Sequence, residues 1–213
     1  MKYRNIIWDW NGTILNDAPV AYKATNILLE RYRRPTITLK YYRDNIDTPI
    51  INFYAKIFDL TRESMETLDA EWGVLYNQLS DQIALHSGIT DLLDFFEAQN
   101  CRQMILSAFR TNEIMKYAQK FSVDRYFEAV LGTEDIVMES KTIRGSRYMK
   151  EHGYDPAQTL YIGDTVHDRE TAEALGVDCI LFSGGQQSPE LLQGHGIPVF
   201  DSFDQIRAYL IGA

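Results

Sequence analysis

Four short stretches of the chain carry side chains suited to moving a phosphoryl group. Asp9 opens the run Asp9-Trp10-Asn11-Gly12-Thr13, and Ser107-Ala108 follows an apolar run. Lys141 stands alone after the acidic turn Met138-Glu139-Ser140, and Gly163-Asp164-Thr165-Val166-His167-Asp168 completes the set. Phosphoryl transfer asks a protein for a nucleophile, a hard cation and donors for three phosphate oxygens. One carboxylate, one hydroxyl, one ammonium and a carboxylate pair supply those parts, provided the fold gathers them. Singly, each has a plainer reading. Asp9 and Asp164 fit turn or helix caps, Thr13 a turn stabiliser, and Lys141 a solvated surface cation.

The elements between these stretches say how they are gathered. Arg4 to Asp9 reads as a short buried strand ending on a carboxylate, and Arg102 to Leu106, Thr159 to Ile162 and Val177 to Leu181 have the same character. Each is β-branched or apolar and gives way to polar or Gly residues, the pattern of parallel strands covered on both faces. Helices are expected at Ile89 to Ala98, Thr111 to Phe121, Lys141 to His152 and Asp168 to Leu175, with Gly153 and Gly176 as C-caps. A weaker strand, Pro198 to Phe200, precedes a closing helix from Asp204 to Leu210. Alternation of this kind predicts an α/β, doubly wound parallel sheet, which binds ligands at the carboxyl ends of its strands. The chemistry-bearing stretches fall at those ends. From about Asp17 to Leu85 the alternation stops. Amphipathic stretches at Ala18 to Arg31, Pro49 to Phe58 and Arg62 to Leu79 predict a small helical domain inserted after the first strand.

Taken together and in order, the four stretches resemble the motifs of the haloacid-dehalogenase-like hydrolase superfamily. Asp9 to Thr13 matches the first motif (D-x-D-G-T) except at Asn11; Ser107 matches the second, Lys141 the third, and Gly163 to Asp168 the fourth (G-D-x-x-x-D). The resemblance spans about the whole chain and looks most like phosphoglycolate-phosphatase-like members with a helical cap. It implies a core of residues 1–16 with 86–213 and a cap of residues 17–85. It also implies Asp9 as the nucleophile that becomes an aspartyl-phosphate, and Mg²⁺ held by Asp9, Asp164 and the backbone carbonyl of Asn11. Asp168 would support the metal or reach it through water. Ser107, Lys141 and backbone groups near Gly12, Thr13 and Ala108 would bind phosphate, with Lys141 neutralising charge.

Asn11 stands where the family's phosphatases usually carry the acid–base Asp. An amide neither gives nor takes a proton near neutral pH, and losing general acid–base help costs about 10²–10⁴-fold. The residue is compatible with a substrate that has a good leaving group or its own proton, with a deliberately slowing substitution, with deamidation of the Asn-Gly step, or with largely lost catalysis. A mutase needs the missing acid even more. A carbon–halogen hydrolase would not need the Asp164 and Asp168 pair. A phosphonate hydrolase would need a Schiff-base lysine, and Lys23, Lys40 and Lys56 stand in no matching context. A silent phospho-ligand binder is favoured by Asn11 alone.

Composition narrows the partners. With 213 residues and 45% hydrophobic content the chain can bury one sizeable core and a smaller appendage. A formal charge of -9 argues against nucleic acid and anionic membranes, yet permits a small phosphorylated metabolite bound by a local positive patch. The two cysteines, Cys101 and Cys179, are far apart and fit a reducing compartment. The first apolar run is too short for a signal peptide or membrane span, so a cytoplasmic protein is expected. Oligomeric state has no signature here. The basic cluster Arg31, Arg33 and Arg34 reads as a solvated helix end, His167 as a helix-start residue facing water, and His86 as a linker residue.

Overall fold

Strand β1 (Asn5–Trp8) is buried along its whole length, and it forms the centre of the molecule. The computed structural model describes residues 2–133 and 140–212. Met138 and Glu139, expected in the turn before Lys141, lie outside the described residues.

After β1 come β2 (Leu15–Asn16) and four helices: α1 (Ala18–Arg31), α2 (Leu39–Asn45), α3 (Ile51–Ile57) and α4 (Met65–Gln78). The chain returns through β3 (Ala84–Leu85), then α5 (Ile89–Ala98), β4 (Arg102–Arg110), α6 (Thr111–Lys120) and β5 (Ala129–Thr133). It continues with α7 (Lys141–His152), β6 (Thr159–Gly163), α8 (Val166–Leu175) and β7 (Asp178–Phe182), and ends with α9 (Pro189–Leu192), β8 (Val199–Phe200) and α10 (Phe203–Gly212). The six-stranded sheet has the order β5-β4-β1-β6-β7-β8, and every pairing in it is parallel. The chain therefore runs outward from β1 in one direction and then in the other. That places a topological switch point at the carboxyl end of β1, between β4 and β6.

The period-2 alternation of β1 sends its side chains to two separate cores. Ile6 and Trp8 join Ile105, Ile162 and Phe96 on one face, while Ile7 joins Met104, Leu106, Tyr161 and Leu175 on the other. Each such side chain, fully buried, contributes about 1.5–3 kcal/mol of transfer free energy, and this clamps the strand whose end must be fixed. Trp8 also donates from Nε1 to Gln103 Oε1 at 3.0 Å, so its one polar atom is satisfied.

The expected strands and helices stand within a few residues of their predicted bounds. Among the described residues, α2, α9, the edge strand β5 and the antiparallel ribbon in which Leu15 pairs with Leu85 and Asn16 with Ala84 lay outside the sequence reading, as did three short 3-10 turns. The second expected core strand also runs on past Leu106 to Arg110, with a register shift between those residues. Ser107 therefore sits in a bulge inside the strand rather than beyond its end. Among the described residues no helix is long and apolar enough to cross a membrane.

His86 is the joint between ribbon and core. Its ring packs against Phe182 at 4.8 Å and Phe203 at 6.1 Å, and its Nε2 is buried without a partner. Burial pulls its pKa from 6.5 to about 4. The unfolded chain thus binds a proton in the window between those values that the folded chain refuses. Stability is full above about pH 6.5 and declines as the pH falls towards 4, by up to roughly 3 kcal/mol. Denaturant midpoints at pH 7 and pH 4.5 should fall less far apart in His86→Phe than in the wild type, and an unchanged difference would refute this assignment.

Candidate active site

The site begins with a turn that only glycine can make. Asp9 leaves β1 with its N–H donated to the Ile162 carbonyl at 2.9 Å, and the chain reverses through Gly12 at φ +80°. A Cβ on Gly12 would overlap the Asp164 carboxylate and Gln186, so the position needs glycine for conformation and for close approach. Asp164, at the end of β6, accepts from Thr13 Oγ1 at 2.8 Å and from the Gln186 N–H at 2.6 Å. Asp168 belongs to the first turn of α8, where a capping box with Thr165 fixes it.

These elements bring three buried carboxylates together. Oxygens of Asp9, Asp164 and Asp168 all lie within 4.8 Å of one another. Lys141, the first residue of α7, reaches into the trio and donates to Asp9 Oδ1 at 2.6 Å and Asp168 Oδ1 at 2.7 Å. Its side chain is only 4% exposed, so the lone lysine that resembles a surface residue in sequence is an interior ion. Lys150, near the other end of α7, is exposed.

Charge sets the protonation of this cluster. Burial alone would pull the Lys141 ammonium down, but Asp168 and Asp9 override it and hold its pKa well above the ordinary value. Burial pushes the Asp9 carboxyl up to about 7 against the pull of Lys141. Burial and the neighbouring Asp9 and Asp168 charges hold Asp164 well above its ordinary value. Burial also acts on Asp168, but Lys141 outweighs it and Asp168 is lowered. Three carboxylates facing one ammonium in a dry place cannot all stay ionised without a further cation. The donor set is all hard oxygen, which fits Mg²⁺. Within that set the roles differ. Asp168 is saturated: Lys141 and Tyr161 bond one oxygen, while Thr165 and the Asp164 N–H bond the other. Asp9 and Asp164 keep acceptor capacity.

Removing the ammonium tests how much the cluster depends on it. Lys141→Met leaves Asp9 and Asp168 buried without their cation, and breaking such a pair costs about 3–5 kcal/mol. Thermal unfolding should report a markedly less stable variant, and equal stability would show that the ion pair is not formed.

Above the cluster opens a cavity of about 650 Å³, lined by Asp9, Asn11, Ser107, Ala108, Lys141 and Asp168, and by residues of α1 to α4. Seven of the nine expected site residues meet around it: these six, and Asp164 buried beneath. Gly12 and Thr13 do not reach the wall. The Gly12 N–H is taken by Leu15 O and Asp17 Oδ1, and the Thr13 hydroxyl by Asp164. Both shape the turn, and the expectation that they bind phosphate finds no free donor there. The Ser107 hydroxyl accepts from the Phe109 N–H at 3.1 Å, and its carbonyl accepts from Arg144 at 2.6 Å. His167 does line the cavity. The cluster Arg31, Arg33 and Arg34 does not: Arg31 and Arg33 are exposed and Arg34 is paired with Glu63 at 2.8 Å.

Asp17 and Gln186 are site residues that sequence reasoning missed. Asp17 precedes α1, yet its carboxylate makes no helix cap. Oδ2 accepts from Asn11 Nδ2 at 2.7 Å and Tyr76 Oη at 2.8 Å, and Oδ1 accepts from the Gly12 N–H at 2.9 Å and Gln186 Nε2 at 3.0 Å. Burial raises its pKa. The only sequence signal was an acidic residue one step past the first strand's turn.

The family model described as haloacid dehalogenase-like hydrolase matches residues 6–182, most of the chain. The chain belongs to that family. Among curated relatives of this haloacid dehalogenase-like hydrolase is a phosphoglycolate phosphatase of Pseudomonas fluorescens, 22% identical, with 98% of this chain and 79% of that protein covered. Among solved structures, a haloacid dehalogenase-like family hydrolase from Streptococcus pneumoniae superposes with a TM-score of 0.85 at 17% identity, covering 98% of this chain and 99% of the other. A predicted phosphoglycolate phosphatase from Haemophilus somnus gives 0.81 at 18% identity, with 99% of both chains covered. The haloacid dehalogenase-like α/β fold is thus shared along the full length.

Proposed function

We propose that this hydrolase cleaves a small phosphomonoester, with Asp9 as the nucleophile. The observation that carries the reading is the Asp9 carboxylate at the floor of the cavity, held by the Lys141 ammonium at 2.6 Å with Asp164 beside it. Relatives named phosphoglycolate phosphatase support the reaction class.

Asp9 attacks phosphorus, the bond from phosphorus to the leaving oxygen breaks, and an aspartyl-phosphate forms; water then hydrolyses it and releases phosphate. Lys141 offsets the charge that would keep the phosphate from Asp9. The Ser107 hydroxyl and the backbone at Ala108 would meet phosphate oxygens. Asp9, Asp164 and the Asn11 carbonyl would hold Mg²⁺, with Asp168 orienting Lys141 and the β6–α8 turn. When bound, the ion supplies charge stabilisation for a phosphoryl group in transfer. Asn11 contributes no proton, so the leaving oxygen departs as an anion or takes its proton from water. Residues 17–85 are the cap, set over the core formed by 1–16 and 86–213.

Asn11 itself favours one other reading, a phospho-ligand binder without turnover. Phosphate release from a panel of small phosphomonoesters, with and without Mg²⁺, separates the two, alongside a mass check that residue 11 is still Asn. Metal-dependent release is expected. Mg²⁺-dependent binding with no release would establish the binder instead.

A further inference from the structure

The wall opposite Asp9 says what the rest of the substrate is. Helices α2 to α4 present the rings of Tyr42, Phe53, Tyr54 and Trp72 to the cavity, and Phe109 adds one from the core side. Two of their polar tips are already engaged: Trp72 Nε1 donates to Thr25 at 3.2 Å, and Tyr42 Oη to Gln186 at 2.9 Å. What remains for a ligand is ring surface and the Tyr54 hydroxyl, which suits an apolar or aromatic group.

The charges on that wall have one sign. Its acidic side chains are Asp47 and Asp69, with Asp17 buried at the start of α1, while the one histidine lining the cavity, His167, stands on α8 on the core side; Asp47 is bonded by the Thr48 N–H and Asn52 with no cation. Among the described residues, the only Lys or Arg lining the cavity are Lys141 and Arg144, both at the phosphate end on α7. Lysines and arginines of the cap are engaged elsewhere: Arg43 on Ser183 O and Gln187 O, Lys56 on Asn45 O, Lys40 on Asp44 and Lys23 on Gln82. A carboxylate carried into this wall would meet two like charges and no counter-ion. A two-carbon acid such as glycolate would also leave most of the 650 Å³ to water. Asn11 points the same way, because an aryloxide or enolate leaves without the proton that an alkoxide requires.

We infer that the cavity takes a phosphomonoester whose organic part is apolar or aromatic and either neutral or cationic, with no second anionic group. The inference rests on the phosphatase reading for the seat of the phosphate. Three aryl phosphates test it: tyramine phosphate, para-ethylphenyl phosphate and the phosphate ester of para-hydroxyphenylpropionate. Their charges sit two carbons from the ring, so the three phenols leave almost equally well. Wild-type kcat/KM with Mg²⁺ is measured for each, together with calorimetric binding of each to Asp9→Asn protein. The neutral and cationic esters should exceed the anionic one by on the order of tenfold in both measurements. The preference for the cation over the neutral ester should shrink in Asp47→Asn/Asp69→Asn. An anionic ester that binds and turns over as well as the others, or the absence of binding by all three, overturns the inference. Binding in the expected order with no phosphate release would instead sink the phosphatase reading and leave the ligand class standing.

Discussion

Asp9→Asn abolishes phosphate release, by about 10⁴-fold or more, as expected when a covalent nucleophile is removed. The same variant is expected to be no less stable than the wild type. Asp9 sits 7% exposed in a cluster whose negative charges outnumber its one ammonium, and burial already pushes its carboxyl up to about 7. Replacing that charge with an amide of the same shape relieves repulsion with Asp164 and Asp168, while Lys141 keeps its bond to Asp168. Loss of turnover with retained or raised stability is the signature of a residue kept for reaction rather than for folding. Thermal melts beside the phosphate assay read both. Residual release within tenfold of wild type would remove Asp9 from the nucleophile's role.

The second large effect concerns Asn11, and it needs two changes. Asn11→Asp alone puts a carboxylate where Asn11 Nδ2 now donates to Asp17 Oδ2 at 2.7 Å. Two carboxylates that close cannot both ionise, so the single variant gains little as an acid–base catalyst. Asn11→Asp with Asp17→Asn reverses the sense of the hydrogen bond: residue 17 donates and residue 11 accepts. The carboxyl is then free to protonate a leaving alkoxide and to deprotonate water. The double variant should exceed the wild type on alkyl phosphates by about 10²–10⁴-fold, and by much less on aryl phosphates, whose leaving groups need no proton. If the single variant matches the double, Asp17 is not what holds residue 11 in its present role.

The parts of this protein that were legible in the sequence are those made by local pattern. The buried run of β1, the C-cap glycines at Gly153 and Gly176, and the helix from Lys141 to His152 follow from periodicity and capping. So did the convergence of Asp9, Ser107, Lys141 and Asp164, because parallel strands present their carboxyl ends to one crevice. What escaped was tertiary. β5 is only partly buried at the sheet edge, so its alternation is weak. α2 shows Leu39 and Tyr41 to solvent and buries only Tyr42. The contact between Asp17 and Gln186 joins residues 169 apart, and no spacing rule reaches that far. Lys141 was legible as a position but not as an interior ion, since its burial depends on two acids that arrive from the end of β1 and the first turn of α8.

The β2–β3 ribbon has an evolutionary consequence. Leu15 faces Leu85 and Asn16 faces Ala84, so the chain leaves the core and re-enters it at adjacent points already tied by backbone hydrogen bonds. Whatever lies between begins and ends at one staple, and loop-closure cost grows only slowly with the length enclosed. The intervening helices are therefore exchangeable cargo: a lineage, or an engineer, can lengthen, shorten or replace them without re-registering β1. That freedom is limited by Tyr42 and Arg43, which bond Gln186, Ser183 and Gln187, and by Asp17, the first residue past the staple. It travels with the cargo yet bonds the turn at Gly12, so a transplanted segment must bring its own partner for residue 11.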